Sequence, residues 1–170
     1  MVISLAASLE TVLSKTFERG ARSNTRLMAT KQATVHHLVD KRFVGITPDT
    51  QRVMIDAEQE ARTGMSPMDL VLNAVGACAA VDIVEMLNKR RLTVNSYRIE
   101  LSGERAEGTP AYFTHITARH IFDVPDLDEK TATRFVDLGM NKYCSVASSL
   151  KAEISFEVVL EHSPPTPTGG

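Results

Sequence analysis

The hydrophobic pattern of the chain is dominated by one apolar run, from Leu70 to Leu87, which only three polar residues interrupt. Helix-start signals stand before it: Ser66 suits the N-cap, Pro67 the first helical position, and Asp69 the third position of a capping box. We therefore predict a helix from Ser66 to about Arg90. A helix that is apolar on all sides is either buried in a core or inserted in a membrane, and two carboxylates inside this run disfavour the membrane.

Shorter runs with the composition and alternation of β-strands lie on both sides of this helix. Turn-forming residues separate three of them before the helix, and a Glu-Gly-Thr-Pro break separates two longer ones after it. The predicted strands are 33–39, 42–46, 52–56, 93–103, 111–123 and 154–160, and the predicted later helices are 126–141 and 145–151. The order β-β-β-α-β-β-α-α-β indicates an α+β fold in which antiparallel β-sheets pack around a long buried central helix.

Length and composition indicate the class of protein and its assembly. The chain has 170 residues, of which 43% are hydrophobic and 24% are charged, as is typical of one soluble domain. Its net charge of -2 argues against nucleic acid and against an acidic membrane surface as partners. Because a core of this size is too small to cover a helix that is apolar all round, we expect a homodimer that shares the helix.

The chain contains two cysteines, Cys78 in the middle of the predicted long helix and Cys144 just before the last predicted helix. So few cysteines indicate a reducing compartment, and we expect a cytoplasmic protein rather than a disulfide framework. Free cysteine is often a small buried core residue, and this interpretation stays open beside a reactive one. Backbone N–H groups at a helix start favour a thiolate at Cys144, whereas Asp82, one turn beyond Cys78, disfavours one there.

Spacings typical of a metal site do not occur in the sequence. There is no CxxC pair and no Cys/His arrangement of the kind that binds zinc. The adjacent His36 and His37, and likewise His115 and His120, fall on opposite faces of their predicted strands and cannot chelate together. We therefore expect neither a metal nor a cofactor.

Two sequence segments together carry a family resemblance. Cys78 lies within SPMDLVLNAVGACAAVDIVEML, a long Gly/Ala-containing helix, and Cys144 lies within NKYCSVASSLKAEISFEVVL, between Lys-Tyr and Ser-Val-Ala. With both segments present, the sequence resembles the OsmC/Ohr family and is closest to its YhfA-like branch. The resemblance predicts an OsmC-like domain over residues 33–160 and leaves residues 1–32 as an N-terminal extension. The tail, residues 161–170, is rich in Pro, Gly and Thr, and we expect it to be disordered.

The resemblance implies a thiol-dependent peroxidase that reduces organic hydroperoxides and works as an intertwined homodimer. Carried over by position, Cys78 is the peroxidatic thiol and Cys144 the resolving thiol, and an unidentified dithiol reductant reopens their disulfide. Peroxidases of the family activate the first thiol with an Arg and a Glu, and Met68 stands here at the Glu position. Asp69 and Arg42 are therefore the candidate supporting residues, although a capping role for Asp69 and a solvated position for Arg42 stay open. The alternative hypothesis is a non-catalytic member of the fold that binds a small apolar ligand or senses redox state.

Overall fold

The computed structural model describes residues 30–161, and the predictions for residues 1–29 and 162–170 lie outside this part of the chain. The elements are β1 (Thr34–Val39), β2 (Arg42–Ile46), β3 (Arg52–Asp56), α1 (Pro67–Lys89), β4 (Ser96–Arg105), β5 (Phe113–Asp123), α2 (Glu129–Asp137), a π-helical turn (Leu138–Tyr143), a 3₁₀ turn (Ala147–Ser149) and β6 (Glu153–Leu160). The predicted order is confirmed. The second predicted helix consists of α2 and the π turn, and the third is a single 3₁₀ turn.

The predicted capping box fixes the start of α1. The Asp69 N–H donates to the Ser66 hydroxyl oxygen at 3.2 Å, and the Ser66 N–H donates to the Asp69 carboxylate at 3.0 Å. Pro67 occupies the first helical position, where a backbone N–H has no intrahelical partner. The sequence signals and the geometry therefore agree at this end of the helix.

The other end of α1 closes with a Schellman motif that has an arginine at its left-handed position. The Arg91 N–H donates to the Asn88 carbonyl oxygen at 2.9 Å, and the Leu92 N–H donates to the Leu87 carbonyl oxygen at 3.2 Å. Arg91 has a φ of 57°, a conformation that glycine adopts without the steric cost that a Cβ brings.

Replacing Arg91 with glycine is expected to raise the free energy of unfolding by about 1 kcal/mol relative to Arg91→Ala, because only glycine relieves the left-handed strain. The Arg91→Ala variant is the matched control, since it loses the same charge and keeps the Cβ. Urea unfolding of the two variants at one pH measures the difference. Equal midpoints with equal slopes would show that the backbone at this position is not strained.

The strands form two three-stranded sheets, β1-β2-β3 and β4-β5-β6. All neighbours are antiparallel, as predicted, except that β6 runs parallel to β5, with Ile154 opposite Ile116. The chain leaves the end of β5, passes through α2 and the two turns, and returns to the start of β6. Such a helical crossover brings the chain back in the same direction, which explains the parallel pairing.

The core lies between the inner face of β4-β5-β6 and the layer formed by α1, α2 and the π turn. Gly76 allows α1 to approach β4 closely, because an added Cβ would lie 2.6 Å from Leu101 Cδ1. The outer face of the sheet is covered by ion pairs, of which Arg98–Glu161 at 2.8 Å has the shortest distance. The inner face therefore holds the core and the outer face is polar.

One chain buries only one side of α1. Val75, Ile83 and Leu87 are fully buried, whereas Val81 is 62% exposed and Val84 is 40% exposed. The prediction of a helix covered on all sides is therefore not met within a single chain. By length and composition α1 is also the one helix of the described residues that is able to cross a membrane, and a helix in the core of a folded domain has the same composition.

Candidate active site around Cys78 and Cys144

The π turn determines where Cys144 lies. The Cys144 N–H donates to the Gly139 carbonyl oxygen at 2.9 Å, five residues back, which is the hydrogen bond of a π helix. Gly139 is buried against α1, where an added Cβ would lie 2.9 Å from Ile83 Cγ1 and 3.2 Å from the Ala79 carbonyl oxygen. The wide turn and the missing side chain bring this segment against α1, and Cys144 is only 1% exposed there.

The Cys144 sulfur has one backbone partner on each side. The Ala147 N–H, in the 3₁₀ turn, donates to Sγ at 3.2 Å. The Sγ–H donates to the Val75 carbonyl oxygen of α1, with 3.7 Å between sulfur and oxygen. Since Val75 precedes Cys78 by three residues, this contact places Cys144 beside the helical turn that carries the other cysteine.

The structure brings the two predicted cysteines together. Cys78 is half-buried on α1 and packs against the core cluster that includes Cys144. Burial is the largest cause that raises the pKa of the Cys144 thiol; the Ala147 N–H opposes this shift, and the neighbouring Cys78 thiol raises the pKa further. Cys144 is therefore a protonated thiol at neutral pH.

The other two candidate residues lie in local networks of their own. Asp69 caps α1, and the hydroxyl and N–H of Ser66 lower the pKa of its carboxyl; Arg62 lies 3.3 Å from it. Arg42 donates from Nε to the buried carboxylate of Asp56 at 3.1 Å. Neither Asp69 nor Arg42 has a cysteine among its hydrogen-bond and ion-pair partners in residues 30–161. Both residues are thus placed to support the scaffold that leads into α1.

The buried carboxylate of Asp56 was not predicted from the sequence. It accepts hydrogen bonds from the Thr63 N–H at 2.9 Å, the Thr63 hydroxyl at 3.1 Å, the Glu58 N–H at 2.9 Å and Arg42. The Thr63 and Glu58 amides are the largest causes that hold its pKa well below the usual range. Asp56 therefore organises the loop 57–65 that connects β3 to α1. Thr63 and Gly64, near the end of this loop, are the only sequence signal for this role of Asp56, and the signal is weak.

A second buried polar group, His120, lies on the core side of β5. Its Nδ1 lies 2.7 Å from the Tyr97 hydroxyl, and the Tyr97 ring stacks on Phe122 with 4.6 Å between centroids. Burial lowers the pKa of His120 to about 4 and raises the pKa of Tyr97, so both are neutral at pH 7. His115 lies on the opposite face, 2.9 Å from Ser155, as predicted from the strand alternation. No group of three or more His, Cys, Asp and Glu side chains in residues 30–161 is arranged to hold a metal ion.

Comparisons with known proteins give the same family as the sequence resemblance. The family described as OsmC-like protein matches residues 57–159. Protein YhfA of Escherichia coli K12 is 36% identical over 132 residues, which cover 75% of this chain and 98% of YhfA.

Two solved structures show the same fold at low sequence identity. An OsmC-like protein from Mycoplasma pneumoniae has a TM-score of 0.69 and 18% identity, covering 80% of this chain and all of that one. An organic hydroperoxide resistance protein OsmC from Legionella pneumophila has a TM-score of 0.56 and 13% identity, covering 80% of this chain and 99% of that one. Because the family match extends over most of the domain and YhfA is covered almost completely, the chain belongs to the OsmC-like family.

Proposed function

We propose that this protein is a thiol-dependent peroxidase that reduces organic hydroperoxides through a dithiol–disulfide cycle of Cys78 and Cys144. The observation that carries the proposal is that the two cysteines of the chain, far apart in sequence, interact in one buried cluster. The name of the Legionella relative, an organic hydroperoxide resistance protein, supports the substrate class.

The environments of the two thiols differ in a way that supports the roles proposed for them. Cys78 on α1 is half-buried and therefore more accessible than the buried Cys144. Cys144 is 1% exposed, and its raised pKa keeps it protonated. In the proposal the more accessible Cys78 attacks the peroxide, and the buried Cys144 is the resolving thiol.

The proposed cycle balances in two steps. The Cys78 thiolate attacks one oxygen of the O–O bond, which breaks; the sulfur becomes a sulfenic acid and the other oxygen leaves as an alcohol after taking up a proton. The Cys144 sulfur then attacks the sulfenic sulfur, forming the disulfide and releasing water. An external dithiol reduces the disulfide to two thiols and is itself oxidised to a disulfide.

Arg42 and Asp69 support this site indirectly in our proposal. The Arg42–Asp56 pair holds the loop before α1, and Asp69 fixes the first turn of the helix that carries Cys78. Both therefore act as positioning residues and not as groups that touch the peroxide.

A homodimer is the second part of the proposal. Apolar side chains stand uncovered on α1 and on the β1-β2-β3 sheet, including Val81 at 62% and Val35 at 60% exposure. Such large exposed apolar surfaces are typical of interaction sites, and a second copy would cover the outer side of α1. Sedimentation at micromolar concentration is expected to give the mass of two chains, and the mass of one chain would contradict the dimer.

Stoichiometric cumene hydroperoxide is expected to remove two titratable thiols per chain from the wild type at pH 7. The Cys78→Ser variant should keep its remaining thiol, because the buried Cys144 is protonated and inaccessible. Thiols are counted with a chromogenic disulfide in denaturant before and after the peroxide. Unchanged thiols in the wild type would reject the peroxidase and leave the non-catalytic, ligand-binding hypothesis.

A further inference from the structure

A pocket of about 490 Å³ opens between the start of α1, the hairpin that joins β4 to β5, and the segment that leads into β6. Most of the side chains that line it are apolar, among them Met68, Val71, Phe113 and Leu150. This volume lies within the range of small-molecule binding sites. Neither cysteine lines the pocket, so it is separate from the thiol pair.

The charged side chains that line this pocket are positive. Arg105 and Lys151 are the only charged residues of the described part of the chain that line it. Arg105 donates from Nε to the Ala111 carbonyl oxygen at 2.8 Å, which holds its guanidinium on the hairpin wall. Among residues 30–161 no carboxylate forms an ion pair with either cation, whereas Arg98 and Arg119 on the outer face of β4-β5-β6 are both paired.

We propose that this pocket binds an acyl-chain carboxylate, such as a free medium-chain fatty acid. The chain would lie against Met68, Val71 and Leu150, and the carboxylate would pair with Arg105 and Lys151 at the polar end. Hydrogen bonds between ionised partners are shorter and stronger than neutral ones, and a guanidinium matches the geometry of a carboxylate. A cationic head group would be repelled, and a neutral one would leave both cations without a counter-charge.

The site does not depend on the proposed peroxidase activity. Val71 precedes Cys78 by seven residues on α1, which is about 10 Å along the helix axis. The two cations lie on other segments than the thiols, Arg105 at the end of β4 and Lys151 before β6. Binding is therefore expected to be the same in the wild type and in Cys78→Ser, so that failure of this proposal and failure of the peroxidase are distinguishable.

Titration calorimetry with sodium decanoate, below its micelle concentration, tests the proposal on the full chain. We expect one decanoate per chain, bound at least about tenfold more tightly than decan-1-ol, and no saturable binding of decyltrimethylammonium. Methyl NMR spectra should show the largest shift changes at Met68, Val71 and Leu150. Absence of saturable decanoate binding, or equal affinity for decanoate and decanol, would overturn the proposal.

Charge-removing variants locate the head group. Lys151→Gln changes an exposed residue with no side-chain partner in the described chain and is expected to weaken decanoate binding several-fold, while decanol binding stays unchanged. Adding Arg105→Gln should bring decanoate to the affinity of decanol, with the melting temperature as a check on folding. Lys142→Gln with Arg134→Gln is the matched control, because it removes two exposed cations that do not line the pocket. Undiminished decanoate binding in the Lys151→Gln, Arg105→Gln double variant would reject the assigned polar end.

Discussion

Replacing Cys144 with serine is expected to stop the proposed cycle at the sulfenic acid of Cys78. One equivalent of hydroperoxide then removes one thiol per chain, and dimedone, which traps sulfenic acids, labels Cys78. The physical reason is that serine fills the same buried site beside Val75 and Ala147 but has no sulfur to attack the sulfenic acid. Mass spectrometry of intact protein and of peptides measures the label, and the wild type should instead lose two hydrogens as its disulfide forms.

The same substitution is expected to make Cys78 sensitive to excess peroxide. In the proposed cycle the disulfide protects Cys78 of the wild type, whereas in Cys144→Ser further peroxide is expected to convert the sulfenic acid to sulfinic and sulfonic acids. After a tenfold excess of peroxide, activity recovered with dithiothreitol should be at least about 100-fold lower in the variant than in the wild type. Ser145→Ala, one residue along the chain, is the control and should recover fully. A wild-type disulfide that joins Cys78 of two chains and leaves Cys144 as a free thiol would refute its resolving role.

The pairing of the two cysteines was predictable only through the family resemblance. Residue spacing places Cys78 in a helix and Cys144 before one, but no local pattern specifies which distant residues meet. Their meeting depends on Gly139, which permits the close approach to α1, and on the π turn that ends at Cys144. A π turn differs from an α-helix by one extra residue per turn, and this difference is too small to change the apolar pattern of 126–141 visibly.

The start of α1 was predictable because the signals for it lie within a few residues of one another. The capping box at Ser66 and Asp69 consists of contacts between residues that are close in the chain, and the structure forms both of its hydrogen bonds. The direction of β6 was harder to predict, because it depends on how α2 and the following turns cross the sheet. The exposure of Val81 was equally hard to predict, because an apolar sequence pattern does not say how much of a helix its own chain covers.

The role of Asp56 in holding the loop 57–65 was not predicted from the sequence. This role gives a prediction for stability. Asp56→Asn is expected to lower the melting temperature at pH 7 by at least about 5 °C. The amide nitrogen that replaces one carboxylate oxygen is a donor, and it would face donors from Thr63, Glu58 and Arg42. Asp40→Asn is the matched control, because it removes a 65% exposed carboxylate 3.6 Å from the same Arg42, and it should shift the melting temperature by about 1 °C or less.

The pH dependence of this difference tests whether the charge of Asp56 is responsible. Its folded-state pKa is lowered, so the stabilisation is complete above the ordinary aspartate pKa near 4 and is lost as the pH falls below it. The difference in melting temperature between wild type and Asp56→Asn should therefore be constant from pH 7 to 5 and shrink towards pH 2. His120, whose lowered pKa of about 4 makes both proteins less stable between pH 6.5 and 4, cancels in the difference. A difference that stays constant down to pH 2 would mean that hydrogen-bond geometry, and not the carboxylate charge, holds the loop 57–65.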